Sequence, residues 1–409
     1  MTGGHEEEFQ QHVAAVNRWE PTAHALISWD EASARQRAEA ALDGPIAGWA
    51  VGIKDIIDVE GYPTRCGVDF LPATPVPRDA QVVERLRSLG AYVFSKVVTT
   101  AFAYLDPGPT TNPWNVGHTP GGSSQGSAVT VATGMVRLAL GSQTGASVAR
   151  PAAFCGVVGF KPTFERMSHD GLMPFAPSFD TVGFFTKNLA DMQTASRAFF
   201  DEPDDTASSS PRIGVVEDMY CEPADDDMLA AVRAVADKLK ASGFDVRPAH
   251  LPEALRDAHE NHVAMMAGES AEVYREIFKE HGEKFSPKLR EIVVRGQAMS
   301  PGELEERRSR REEFEASMDG IFDEFDVLLT PSAPGAAPKG LDTTGDFRMS
   351  VPITHTRTPS VTLPARLNES GLPLGLQFVA RKMEDATLLA ACRSIESVID
   401  FDEKLPEGR

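Results

Sequence analysis

Over the first 40 positions, apolar and charged residues recur at helical spacing, most regularly from Asp30 to Leu42, which predicts one or two amphipathic helices. The texture then changes. Trp49–Asp55 is a short apolar run that closes on charges and predicts a strand; turn-rich sequence to Arg78 follows, then a helix over Gln81–Leu89 and a strand over Tyr92–Lys96. Such alternation indicates α/β architecture. Residues 107–127 are dense in Gly, Pro, Ser, Thr and Asn, a long loop of the kind a compact protein keeps for function. The small-residue apolar stretch Ala128–Leu140 predicts a helix, and a second Gly/Ser-rich turn, Gly141–Ser147, leads into Pro151–Gly159. The acidic, serine-rich Asp201–Pro211 is expected to be a surface connection. Beyond it, strands are expected at Arg212–Glu217, Asp245–Ala249, Asp326–Thr330, Val361–Leu363 and Leu374–Ala380. Helices are expected at Asp226–Ser242, Leu255–Lys279 and Leu304–Phe325. No internal repeat and no clear boundary divides the chain.

Composition narrows the function classes. At 409 residues and 42% hydrophobic, the chain buries a large core. A net charge of −20, from 40 basic and 60 acidic side chains with no basic stripe, repels phosphate backbones and anionic membranes, so no nucleic-acid or membrane partner is expected. Cys66, Cys155, Cys221 and Cys392 lie far apart without metal-ligand spacing, which fits small core residues in a reducing compartment. The polar, acidic start and the lack of a membrane-length apolar run lead to the expectation of a soluble, cytoplasmic protein.

Three places carry chemistry. The first is the loop Pro120–Ser127, with Gly121, Gly122, Ser123, Ser124 and Gly126, where backbone amides can approach a ligand and hydroxyls supply donors and acceptors. Gly122–Gly126 formally matches the G-x-S-x-G nucleophile elbow, but the polar, proline-interrupted Asn112–Pro120 is not the buried strand that motif needs. A phosphate loop would need a lysine after the last glycine, and a structural Gly/Ser loop is the plain alternative. The second is Gly141–Val148, whose small residues can aim consecutive N–H groups at one point, as a tetrahedral oxyanion requires. The third is Lys54, at the end of an apolar strand. Such a lysine is ordinarily a solvated terminus, but a buried one can lose its proton near neutral pH and act as a base.

Together these segments carry a resemblance. Gly121-Gly122-Ser123-Ser124-x-Gly-Ser, then Thr144-Gly-Ala-Ser147, then the run Pro151–Thr163 resemble the amidase signature family, as do Val51–Asp55, Thr111–Asn115 and Gly371–Gln377. The resemblance covers most of the chain and is weakest over residues 220–320. It implies one α/β domain over residues 1–409, a large mixed, mostly parallel sheet covered by helices on both faces, a signature core at about 50–200 and a more variable helical region at about 220–320. Carried over, it makes Ser147 the nucleophile, Ser123 a bridging serine held through a cis peptide, and Lys54 the terminal base. It places the oxyanion on the amides of Thr144, Gly145, Ala146 and Ser147. Gly121, Gly122 and Ser124 would support the loop, with Ser127. No metal and no cofactor are implied.

Departures from the family pattern bear on substrate. Gln143 stands where many relatives carry Asp, and Ala149 where they carry Arg, with Arg150 one place later. In glutamine-using relatives that charge pair is associated with the ends of free glutamine. Ala146 replaces the commoner glycine, which matters only if positive φ is required there. Phe102–Pro109, Met167–Phe179 and Ser332–Pro338 are expected to border the pocket, and their aromatic, proline and methionine content suits an apolar acyl or amine group. Ala264–Met266 is either pocket wall or core. His259 and His262 lack a third metal ligand, and His118 and His169 are assigned no role. The leading expectation is hydrolysis of small amides or carbamates, including urethanes and aryl anilides, by a monomer or homodimer. The alternatives are a glutamine-dependent amidotransferase of the A type, supplying ammonia to a partner, and a non-catalytic scaffold of the same fold.

Overall fold

The computed structural model describes residues 3–202, 210–402 and 404–406, so most of the connection expected at Asp201–Pro211 lies outside the described residues. Among the described residues, eleven strands form one sheet. They are β1 (Leu26–Ser28), β2 (Ala50–Lys54), β3 (Tyr92–Val97), β4 (Leu138–Gln143), β5 (Val158–Lys161) and β6 (Thr181–Thr186), followed by β7 (Arg212–Val216), β8 (Asp245–Ala249), β9 (Val327–Pro331), β10 (Ser360–Leu367) and β11 (Pro373–Val379). Their order is β1-β3-β2-β4-β6-β5-β10-β11-β9-β7-β8.

The sheet is mixed, as expected, but not mostly parallel: β2 runs parallel to β3 and β4, and β7 to β8 and β9, while the six other pairings are antiparallel. Apolar runs such as Val-Gly-Ile suit central strands of either sense once both faces are covered, so composition alone does not set direction.

Helices cover both faces. Along β2 and β3, Val51, Ile53 and Val93 point into one core with Leu138, Leu140 and Phe184, while Ala50, Tyr92 and Phe94 point into a second with Ala139 and Phe185. This is the two-residue alternation of a pleated strand. The second core is closed by Phe9, Val13 and Val16 of the N-terminal helix Gly3–Ala23 and by the helix Gln125–Ala132. The first is closed by residues of Asp226–Ala241, Ala258–Val273 and Asp385–Ile399, among others. Met265 and Met266 belong to this core.

Two expected helices divide. Ala128–Leu140 is in fact the end of the helix Gln125–Ala132 and the start of β4, because the chain leaves the helix through Thr133 and Gly134, the latter at φ +75°. Leu255–Lys279 is a 3-10 turn followed by Ala258–Val273 and Arg275–His281. Ala258–Val273 packs against Pro287–Gln297 and Pro301–Asp319.

The pairing of β2 with β4 positions the site. Ile53 is opposite Leu140 in a parallel ladder, so Lys54 and the turn following Gln143 emerge at the same edge of the sheet. The carboxyl edge of parallel strands is where open α/β sheets place their ligands.

Candidate active site

Lys54 is fully buried at the end of β2. Its Nζ lies 2.7 Å from Ser123 Oγ, 3.0 Å from Ser124 Oγ and 2.8 Å from Ser142 Oγ. Burial pulls its pKa down to about 7, against a weaker opposing pull from Asp180. A neutral amine fits this cage: two N–H groups serve Ser124 and Ser142, and the lone pair is left to accept from the Ser123 hydroxyl. Ser124 Oγ is oriented by its donation to Ser142 O at 3.2 Å and its acceptance from Ser142 N at 3.2 Å. Ser127 Oγ donates to Leu140 O at 2.9 Å, a structural bond between helix and strand.

Ser123 reaches this position through a tightly packed loop. The Gly122–Ser123 peptide is cis. Gly121 adopts φ +83°, and a Cβ there would come within 2.8 Å of Pro151 Cα, so only glycine fits. Arg150, entirely buried, donates to Gly122 O and Gly345 O at 2.6 Å each. That clamp ties the Ser123 loop to the segment three residues beyond Ser147.

Ser147 ends the turn Thr144–Ser147 and is 8% exposed. Among the described residues, no protein acceptor takes the N–H of Gly145, Ala146 or Ser147. Ala146 is absent from the positive-φ positions, so its methyl brings no backbone strain. Gln143 stabilises the following helix Ala149–Cys155: its Oε1 accepts from Val148 N at 2.8 Å and Ala149 N at 3.0 Å, while its Nε2 donates to Thr354 Oγ1 at 2.9 Å.

A cavity of about 240 Å³ abuts this network, lined by the polar Ser142, Thr144, His169 and Asp180 and by the apolar Ile56, Ala103, Leu172, Met173, Pro174, Phe175 and Pro177. Two of the three segments expected to border the pocket supply this wall; Ser332–Pro338 does not line it. Tyr104 stacks on Phe175 with ring centres 5.0 Å apart. Asp180 accepts from Thr144 Oγ1 at 2.5 Å, from Phe175 N at 2.7 Å and from Ala176 N at 3.1 Å. Burial nevertheless pushes its pKa up to about 7.

With this geometry in place, comparison with known proteins is decisive at the level of family. The Amidase family profile matches residues 7–389. The chain belongs to the Amidase family. This amidase is 29% identical to the A-type subunit of glutamyl-tRNA(Gln) amidotransferase from Synechococcus sp. (strain RCC307), over 99% of this chain and 95% of that protein. It is 30% identical to the protein of the same name from Roseiflexus castenholzii, over 97% of this chain and 92% of that one. Among solved structures, a crystal structure of an amidase superimposes with a TM-score of 0.88 at 29% identity, covering 95% of each chain. The corresponding amidotransferase protein of Thermotoga maritima gives 0.83 at 25%, covering 98% of this chain and 94% of that one. Membership makes this amidase a hydrolase acting on C–N bonds. Among its described residues, no helix is long and apolar enough to cross a membrane.

Sequence reasoning found Lys54, Ser123 and Ser124, which the amidase fold brings into direct contact, and the turn bearing Ser147, which Arg150 links to the same loop. It missed Ser142, Asp180 and Thr354. Ser142 falls in the Gly/Ser-rich stretch expected as a turn, but the structure places Gly141–Gln143 in β4, with Ser142 two residues past the point where that strand pairs with β2, and nothing local distinguishes its hydroxyl from its neighbours'. His262 stands out in the sequence only as a metal-ligand candidate; its Nε2 instead lies 2.9 Å from Thr144 O.

Proposed function

We propose that this amidase hydrolyses small, uncharged amides or carbamates through an acyl-enzyme on Ser147. The observation that carries the substrate reading is the charge of the pocket wall: among the described residues, the cavity beside Lys54 has no lysine or arginine in its lining, and its one carboxylate, Asp180, is taken up by Thr144, Phe175 and Ala176. A free glutamine molecule brings a carboxylate and an ammonium that must both be paired when removed from water. At the positions that differ from glutamine-using relatives, Gln143 is neutral and engaged in capping, Ala149 is uncharged, and Arg150 is turned into the loop clamp. The apolar lining matches an aliphatic or aryl group.

In this reading, neutral Lys54 accepts the Ser123 proton as Ser123 Oγ takes the proton of Ser147 Oγ, which attacks the carbonyl carbon. The amides of Gly145, Ala146 and Ser147, with that of Thr144, receive the oxyanion. As the tetrahedral adduct collapses, the relay returns a proton to the departing nitrogen, which leaves as neutral amine. Water repeats the sequence on the acyl-enzyme and frees the acid.

A second reading is supported by the similar amidotransferase proteins: Ser147 would then take the acyl group of glutamine and release ammonia to a partner. Turnover of a matched panel of aryl amides, aryl carbamates, aliphatic amides and glutamine separates the two. The proposal expects hydrolysis of aryl substrates by the isolated chain and its loss in Ser147→Ala and Lys54→Ala. Turnover confined to glutamine, or dependent on an added partner protein, gives the second reading; full activity in Ser147→Ala removes the nucleophile.

A further inference from the structure

The turn Thr144–Ser147 is held from behind by its carbonyls. Thr144 O faces His262 Nε2 at 2.9 Å, Gly145 O accepts from Thr354 Oγ1 at 2.6 Å, and Ala146 O accepts from Arg150 N at 2.9 Å. In a trans peptide the C=O and the N–H of the next residue point in opposite directions. Fixing these carbonyls on one side therefore fixes the N–H groups of Gly145, Ala146 and Ser147 on the other.

The third contact belongs to the start of a helix. The first two come from elsewhere in the fold: His262 lies in the helix Ala258–Val273 and Thr354 in the short helix Val351–His355.

The proton positions follow from the partners. Thr144 O can only accept, so His262 Nε2 carries the hydrogen and, in the neutral ring, Nδ1 must accept. Its neighbour at 3.2 Å, His355 Nδ1, is then a donor, and His355 Nε2 accepts from Asn261 Nδ2 at 3.2 Å. Asn261 Nδ2 is itself anchored on Arg307 O at 3.0 Å. The result is a one-way chain of neutral donors running from Asn261 through His355 and His262 to the turn. Burial keeps both rings neutral, pulling His262 to about 3 and His355 to about 2. Thr354 is set similarly: its Oγ1 accepts from Gln143 Nε2 at 2.9 Å and lies nearer Gly145 O, at 2.6 Å, than Ser350 O, at 3.1 Å, so the shorter contact favours donation to the turn.

We propose that His262 and Thr354 are positioning residues for the oxyanion site, holding the Thr144–Gly145 and Gly145–Ala146 peptides so that the N–H groups of Gly145 and Ala146 face the reacting carbonyl. This rests on the acyl-Ser147 reading and deepens it, since it assigns two residues of distant elements to that site. A peptide free to rotate would present a carbonyl oxygen where a donor is needed.

The test uses an alkyl fluorophosphonate, which needs no knowledge of the substrate: Ser147 Oγ bonds to phosphorus, the P–F bond breaks, fluoride leaves with the electron pair, and the serine proton passes to the Lys54 relay. The phosphoryl oxygen takes the place of the oxyanion. Labelling kinetics are compared for the native protein, His262→Phe and Thr354→Val, which remove the donors, and His262→Gln and Thr354→Ser, which keep an N–H or O–H. Losing one oxyanion donor outright costs about 10²–10³-fold, so misorienting one is expected to slow the bonding step by about 10- to 100-fold with reversible affinity unchanged. His262→Gln and Thr354→Ser are expected to recover most of that loss. Native-rate labelling in folded His262→Phe and Thr354→Val overturns the proposal, as does an equal loss in the donor-keeping variants. Should His262→Phe not fold, the Thr354 pair decides alone. A native protein with no label on Ser147 overturns the nucleophile reading and this inference together, an outcome distinct from labelling that ignores the two residues.

Discussion

A lysine serves as a base only where the protein makes its charge costly, and Lys54 is in such a place. With its pKa drawn to about 7 by burial, the neutral form grows as pH rises through 7, so kcat/KM is expected to climb over that range and level off on the alkaline side. Asp180 favours the charged lysine, so Asp180→Asn is expected to move this limb to lower pH; a pH–rate profile of the two proteins checks the direction. The same burial acts on stability. Unfolded Lys54 titrates near 10.4, so the folded state carries the full penalty of an unfavourable charge below pH 7, and the penalty fades as pH rises from about 7 to about 10.4. Lys54→Met is therefore expected to be inactive yet to melt higher than native, with a larger gain at pH 6 than at pH 10. A lower Tm at pH 6 would show that the hydroxyl cage contributes more than the burial takes away. Lys54, Ser123 and Ser147 stood out in the sequence because each sits in a short motif that carries the family resemblance. Ser142 and Asp180 did not, because a serine near the end of one strand and an aspartate just before another gain their meaning only from what packs against them.

At the scale of elements, the sequence signal failed where burial is complete. Every residue of Gln125–Ala132 is buried, so the helix shows no amphipathic period, and only Thr133, Gly134 and the single charge of Arg137 interrupt the run of small and apolar residues before β4. The amphipathic helix Asp226–Ala241, by contrast, was read within a residue, from Ala231, Val232, Val235, Ala236 and Leu239 on its buried face. Short segments flanking the site depend on single side chains. The helix Ala149–Cys155 begins without a conventional cap, and the Gln143 amide takes two of its first N–H groups instead. Gln143→Ala leaves both buried donors without a partner and is expected to cost about 1–2 kcal/mol, seen as a lower urea midpoint at unchanged slope. An unchanged midpoint would mean that a water or a shifted backbone carbonyl replaces the amide.

At the scale of the whole molecule, the sheet order joins strands that the sequence keeps far apart: Ser360 pairs with Lys161, and Leu376 with Pro331, which no local pattern could announce. Net charge, in contrast, is fixed by composition alone, and −20 bears on which substrates approach. An electronegative surface repels anions over a distance set by screening, and raising salt from about 0.1 M to about 1 M shortens that distance from about 10 Å to about 3 Å. A neutral aryl amide should then be nearly indifferent to salt in kcat/KM. The same amide bearing a carboxylate on its acyl group should be a poor substrate at low salt and improve several-fold as salt rises, mainly through KM. The opposite result, a carboxylate that is preferred at low salt and loses its advantage on screening, would require a cationic subsite outside the cavity beside Lys54. It would also move the reading toward the carboxylate-bearing substrate of the amidotransferase alternative. Because the two substrates share one scissile bond, the comparison isolates recognition from chemistry, and it does so on the isolated chain without any partner.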